Sequence, residues 1–270
     1  MESSNYFVPV DFSTSSYKAV QYAMMLAKLT EGHINLFHVF DPNEMPDSDN
    51  PVVVGRTFDK LTSHAEKKME SLRDMIRSVG VSSSFEFSFG KLSFEFAKQC
   101  ERIKADFVVI GKEHMARTFS KNGIKLLKLP TFVVPESTVI NTPYNILLAT
   151  DLKSVNAEGL PQFLTIANKT CEALKLLHIS KKPIINGHEI NLKHKFEEIK
   201  KIIDVKTDFA CRQGEDVTTG ILDYSKENSV DLLCTIKRKG NGLINKLFPR
   251  SISAEILEEA DVPVLVFSGV

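Results

Sequence analysis

A chain of 270 residues, 43% hydrophobic and 25% charged, has the make-up of an ordinary globular protein with room for one large domain or two medium ones. Its 34 Lys and Arg balance its 34 Asp and Glu, which argues against a dedicated binder of nucleic acid or anionic membrane.

Taken in order, the elements are written twice. Tyr6 to Val10 is a short apolar run ending at Asp11, and Asn145 to Thr150 is another ending at Asp151. Each reads as a buried strand with a carboxylate at its C-terminal tip. A helix follows each, with an apolar stripe at Val20, Ala23, Met24 and Ala27 and again at Leu160, Phe163, Leu164 and Ala167. The second strands, INLFHVF and LKLLHIS, place His38 and Val39 opposite His178 and Ile179 at the same offset of 140 residues.

Beyond that point loop lengths differ but the order of elements holds. A long amphipathic helix is expected over Thr57 to Ser78 and over Glu189 to Ile203. Third strands SFEFSFG and KTDFACRQG, helices over Leu92 to Ile103 and Glu215 to Glu227, and fourth strands DFVVIG and DLLCTI come next. A loop, a last helix and a Pro-led fifth strand, PTFVVP or PVLVFS, close each copy. Strands alternating with helices imply right-handed crossovers and a doubly wound parallel sheet covered on both faces. Polar, turn-rich residues near Glu136 to Thr142 mark a boundary, which predicts repeats over 1–138 and 143–270.

The four cysteines, Cys100, Cys171, Cys211 and Cys234, have neither C-x-x-C nor zinc-type spacing and read as reduced core thiols. No run approaches the roughly 18 apolar residues of a membrane span. The N-terminus MESSNYFVPVDF enters a strand directly, so the cytoplasm is the expected location. G-x-S-x-G, H-E-x-x-H, an intact Walker loop and G-x-G-x-x-G are all missing, so neither a catalytic residue nor a metal site is expected. His188 and His194 read as surface residues, and His38 and His178 as packing residues near the crevice.

In an open parallel sheet, ligands sit beyond the carboxyl ends of the strands, which directs attention to Asp11, Asp151 and the loops after the fourth strands. Each aspartate either caps the first helix or accepts hydrogen bonds from a ribose or adenine. The second loop carries Lys237, Arg238, Lys239, Gly240, Lys246, Arg250 and Ser251. It is either an anion cradle at a helix start or a solvated basic loop with Ser251 as cap.

A strand ending V-D-F-S, a second ending H-V, a fourth of D-F-V-V-I-G type and a terminal P-V-L-V-F together resemble the universal stress protein family. The resemblance covers nearly the whole chain, twice. It implies a tandem protein, each repeat a five-stranded parallel sheet of order 3-2-1-4-5, with the fifth strands meeting to form an intrachain pseudo-dimer. ATP-binding members carry G-x-x-G, nine residues, then G and Ser or Thr, with the first-strand Asp at the adenosine end. Laid on copy two, that pattern falls on Lys237, Gly240, Arg250 and Ser251, so two of four positions survive. In copy one Gly111 matches, His114 replaces the second glycine, and Arg117 and Thr118 take the final pair in a shorter loop.

A Cβ at those glycines keeps a phosphate off the backbone. Arg117 and Arg250 either fork onto phosphate in its place or pair with Asp11 and Asp151. The implied function is a non-enzymatic stress-response regulator with weak or lost binding of ATP or AMP. Any site is expected mainly in copy two, at Asp151, Ile179, Lys237, Gly240, Arg250 and Ser251. Copy one, with Asp11, Val39, Gly111, Arg117 and Thr118, is the lesser candidate. The alternatives are a module binding a protein or an apolar ligand without nucleotide and, last, a nucleotide hydrolase. Partners expected are an unidentified protein and a second copy of the chain, but neither nucleic acid nor membrane.

Overall fold

The computed structural model describes residues 3–41, 50–118, 129–142, 145–152, 159–183, 186–203, 205–237 and 252–268. The chain divides into two compact units, Met1–Leu126 and Leu127–Val270.

In the first unit β1 (Asn5–Pro9), β2 (His33–Phe40), β3 (Ser82–Phe89) and β4 (Phe107–Gly111) alternate with α1 (Thr14–Thr30), α2 (Pro51–Ser78), α3 (Leu92–Ile103) and α4 (Lys112–Thr118). The strands run parallel in the order β3-β2-β1-β4. β1 is central, and Tyr6, Phe7 and Val8 are fully buried, as a strand covered on both faces requires. β3 is an edge strand of this order, and its Ser and Glu alternate with Phe instead of forming a continuous apolar run.

Ser13 caps α1, its hydroxyl accepting from the Ser16 N–H. The buried face of α1 includes Ala19, Ala23 and Ala27, small residues that let the helix lie close to the sheet. α2 starts at Pro51, six residues before the expected Thr57, because Asn50 caps it and Pro51 is preset for a first helical turn. Its buried residues, Ala65, Met69, Leu72 and Ile76, all lie in the C-terminal half.

The second unit contains β5 (Thr131–Val134), β6 (Ile146–Ala149), α5 (Leu160–Thr170), β7 (Leu174–Ser180), α6 (Asn186–Ile202), β8 (Thr207–Gln213), α7 (Val217–Glu227), β9 (Leu232–Lys237), α8 (Ile252–Glu259) and β10 (Val264–Ser268). Its strand order is β5-β10-β9-β6-β7-β8. The five strands of the second repeat run parallel, in the expected 3-2-1-4-5 order read from β8.

β5 ends the first repeat in sequence but pairs antiparallel with β10, Val133 opposite Val264 and Phe132 opposite Leu265. The two fifth strands therefore meet as the resemblance implied. All four residues of β5 are buried in that pairing. The packing boundary thus precedes the sequence boundary by the length of this strand and its approach. All four cysteines are free, Cys100 and Cys234 being buried and Cys171 and Cys211 half-buried.

Candidate functional site

The Val10 N–H donates to the Phe37 carbonyl at 2.8 Å, which carries the pairing to the edge of the crevice and delivers Asp11 beyond it. Phe12 then adopts φ 61°, a left-handed turn unusual for a bulky residue, and Ser13 opens α1. Leu152 adopts φ 59° at the matching place after Asp151. A residue of positive φ thus follows the aspartate at both strand tips.

Asp11 is held from several sides. The Ser13 N–H and hydroxyl donate to Oδ1 at 3.0 and 2.5 Å, so the sequence question of cap or ligand holder receives a composite answer: Ser13 is the cap and Asp11 fixes it. Arg117, from α4, donates through Nη2 to Asp11 Oδ2 at 2.6 Å and to Ser13 Oγ at 3.0 Å. Burial alone would push the Asp11 pKa up, but hydrogen bonds from Ser13 and Arg117, with the nearby His114, hold the carboxyl well below its usual range.

His114, which stands where the second glycine of the phosphate pattern falls, is buried at 2% exposure. Its backbone N–H donates to Ser15 Oγ at 3.4 Å. Its ring Nδ1 has no hydrogen-bond partner and lies 3.8 Å from Asp11 Oδ1. Burial is the main cause that lowers the His114 pKa; Asp11 opposes it, and Arg117 and His38 add to it. Gly111 needs its missing side chain for packing, since a Cβ there would stand 2.5 Å from the Ser15 carbonyl oxygen.

His38 and His178 are equivalent in structure as in sequence. Nδ1 of His38 donates to the Val10 carbonyl at 2.7 Å, and Nδ1 of His178 to the Thr150 carbonyl at 3.0 Å. The carbonyl can only accept, so the proton sits on Nδ1 in both rings. Each ties β2 or β7 to the end of the preceding central strand, a positioning role that agrees with the packing reading. Around His38 gather Phe12 at 4.6 Å, Phe40 at 4.8 Å and Phe87 at 6.2 Å between ring centroids. Val39 beside it is half-buried.

In the second repeat Asp151 is exposed, and the Leu152 N–H donates to Thr150 Oγ1 at 3.1 Å. Ile179 is buried under Gly214 and Gly220, whose absent Cβ atoms would approach its branched methyls at 3.2 Å. Lys237 pairs in β9 with Ser268 of β10. Gly240, Arg250 and Ser251 lie outside the described residues, as do Arg238, Lys239 and Lys246, and the Thr118 side chain is likewise not described. His194 faces Glu198 at 3.6 Å on the surface of α6.

Structure thus brings together Asp11 and Arg117 of the first-repeat candidates, and packs Gly111 against Ser15. Sequence reading missed Ser13 and Ser15 as their partners; the only signal was the serine pair following the D-F turn. Among the described residues, no group of three or more His, Cys, Asp or Glu is placed to hold a metal ion. Nor, among them, is any helix long and apolar enough to cross a membrane.

A sequence profile of the universal stress protein family matches residues 5–123. Among curated proteins, none matches the chain. Among solved structures, a universal stress protein from Archaeoglobus fulgidus DSM 4304 superimposes with a TM-score of 0.76 at 18% identity, covering 98% of each chain. A functionally unknown protein from Pseudomonas aeruginosa PAO1 gives 0.64 at 13% identity, covering 98% of this chain and 92% of its own. At such identities the likeness speaks to the fold, and it extends over both repeats.

Proposed function

Over its first repeat this chain belongs to the universal stress protein family, and from that premise we propose a non-catalytic stress-response regulator whose first-repeat pocket is closed to nucleotide by its own Arg117. The observation that carries this reading is the 2.6 Å bond from Arg117 to Asp11, the residue the family resemblance assigns to the adenosine end. A ribose or adenine donor would have to displace a guanidinium from a carboxylate. Charge-assisted bonds of that kind contribute about 1.5–3 kcal/mol when shielded, less when exposed.

Any ATP or AMP is then expected in the second repeat, weakly, beside the exposed Asp151. A non-catalytic role fits the groups around Asp11: its carboxylate is engaged, and the His114 ring faces that carboxylate instead of a nucleophile. A reducing cytoplasmic setting fits the four free thiols.

Incubation of the purified chain with ATP and Mg²⁺ tests the claim. ADP should form no faster than in buffer. Formation abolished by Asp11→Ala or Asp151→Ala would establish a hydrolase and overturn it.

A second reading, an apolar-ligand module, is favoured by the stacked rings of Phe40, Phe89 and Phe58 at 4.9 and 5.0 Å, with Phe89 49% exposed. A fluorescent apolar probe whose signal falls in Phe89→Ser would support that reading.

A further inference from the structure

At the tip of β1, Asp11 and Ser13 present acceptor oxygens next to each other. Asp11 presents two carboxylate oxygens, and Ser13 spends its hydroxyl proton on Oδ1, which leaves its oxygen to accept. Nδ1 of the buried His114 lies 3.8 Å from Asp11 Oδ1, beyond hydrogen-bond distance. That buried nitrogen has no hydrogen-bond partner, which costs free energy unless a donor reaches it. A carboxylate and a hydroxyl oxygen that accept side by side repel an anion and attract a cation rich in N–H groups.

One such cation is already there. Arg117 bonds both Asp11 and Ser13 through a single nitrogen, Nη2. Its side chain is 55% exposed, and its helix, α4, spans only Lys112–Thr118. The pair is partly exposed, so an external guanidinium, which makes the same charge-assisted bonds, can exchange with it, whereas a neutral ribose or adenine donor cannot match them. Asp11 is less accessible, at 28%, and without Arg117 it would lose its counter-charge.

We propose that the first-repeat pocket is a binding site for small guanidinium compounds, and that Arg117 is its tethered occupant. The proposal rests on the reading of this pocket as closed to nucleotide, and it reverses the charge of the ligand expected there. A tethered group competes at an effective concentration in the millimolar range, so an external guanidinium must outcompete it in the wild-type chain and meets no competitor once Arg117 is removed.

Calorimetric titration of methylguanidine into the full chain provides the test. Arg117→Ala should bind it saturably with a Kd on the order of 1 mM, within what so few heavy atoms allow. Wild type should bind at least about tenfold more weakly. Arg117→Ala combined with Asp11→Asn should not bind, and inorganic phosphate should give no heat at this site. Arg117→Gln, which keeps the aliphatic stem, is titrated alongside so that a folding loss in one variant does not mask the result. Equal binding by wild type and Arg117→Ala, binding that survives Asp11→Asn, or no binding by either folded single variant would overturn the proposal. If AMP binds the wild-type chain in an Asp11-dependent manner, the proposed exclusion of nucleotide by Arg117 fails; if Arg117→Ala binds AMP but not methylguanidine, the guanidinium proposal alone is overturned. Failure with methylguanidine alone leaves that exclusion standing.

Discussion

Arg117 and Asp11 are 106 residues apart in sequence, yet Nη2 of one lies 2.6 Å from Oδ2 of the other. The contact joins α4 to the tip of β1 and places a tethered positive charge where the family resemblance leads one to expect a ligand.

The pair predicts an asymmetric mutational response. Arg117→Ala removes a partner that is more than half exposed and should cost at most about 1 kcal/mol. Asp11→Ala also removes the acceptor that holds Ser13 and should cost about 1.5–3 kcal/mol. Denaturant unfolding of the single and double variants measures both, and a double-mutant-cycle coupling energy indistinguishable from zero would deny the contact any energetic role.

His114 sets an acid dependence whose sign is fixed by burial. Its pKa in the folded chain lies below the ordinary 6.5, chiefly because the ring is desolvated; Asp11 opposes the shift and Arg117 and His38 reinforce it. As pH falls through that ordinary value the unfolded chain takes up a proton that the folded chain refuses, so stability falls. His114→Gln should therefore flatten the stability profile between about pH 7 and about pH 5. Asp11 acts in a lower window: its depressed pKa contributes stability above the ordinary 3.8, which is lost as pH falls toward the folded value. A steeper profile for His114→Gln would contradict this assignment.

Gly111 belongs to the phosphate pattern by sequence, but here its bareness serves packing. Because a Cβ would meet the Ser15 carbonyl oxygen at 2.5 Å, Gly111→Ala should destabilise the chain by about 1–3 kcal/mol in the absence of any nucleotide. A thermal melt of the ligand-free variant that matches wild type would return Gly111 to a purely ligand-related role.

The repeat was legible because each strand buried on both faces keeps a near-continuous apolar run, and because the Asp11 and Asp151 tips share one offset with His38 and His178. Structure adds that the two histidines make equivalent bonds to Val10 and Thr150. The start of α2 was less legible. Its first turns bury little, so the apolar stripe begins only where the helix meets the sheet, whereas the helix itself begins with the Asn50 cap. The choice between phosphate fork and Asp partner for Arg117 could not be made from spacing. It depends on where α4 points the side chain, a long-range relation that no local pattern encodes. Ile179 adds a relation that no local pattern encodes: Gly214 and Gly220, 35 and 41 residues on, leave the room in which it packs.

The most direct measurement of the central claim is the stoichiometry and residue dependence of ATP and AMP binding by the full chain, measured by titration for wild type, Asp11→Asn and Asp151→Ala. Binding at no more than one site per chain, weakened by Asp151→Ala and indifferent to Asp11→Asn, is the predicted result. Two sites per chain, or a site abolished by Asp11→Asn, would contradict the view that Arg117 closes the first repeat.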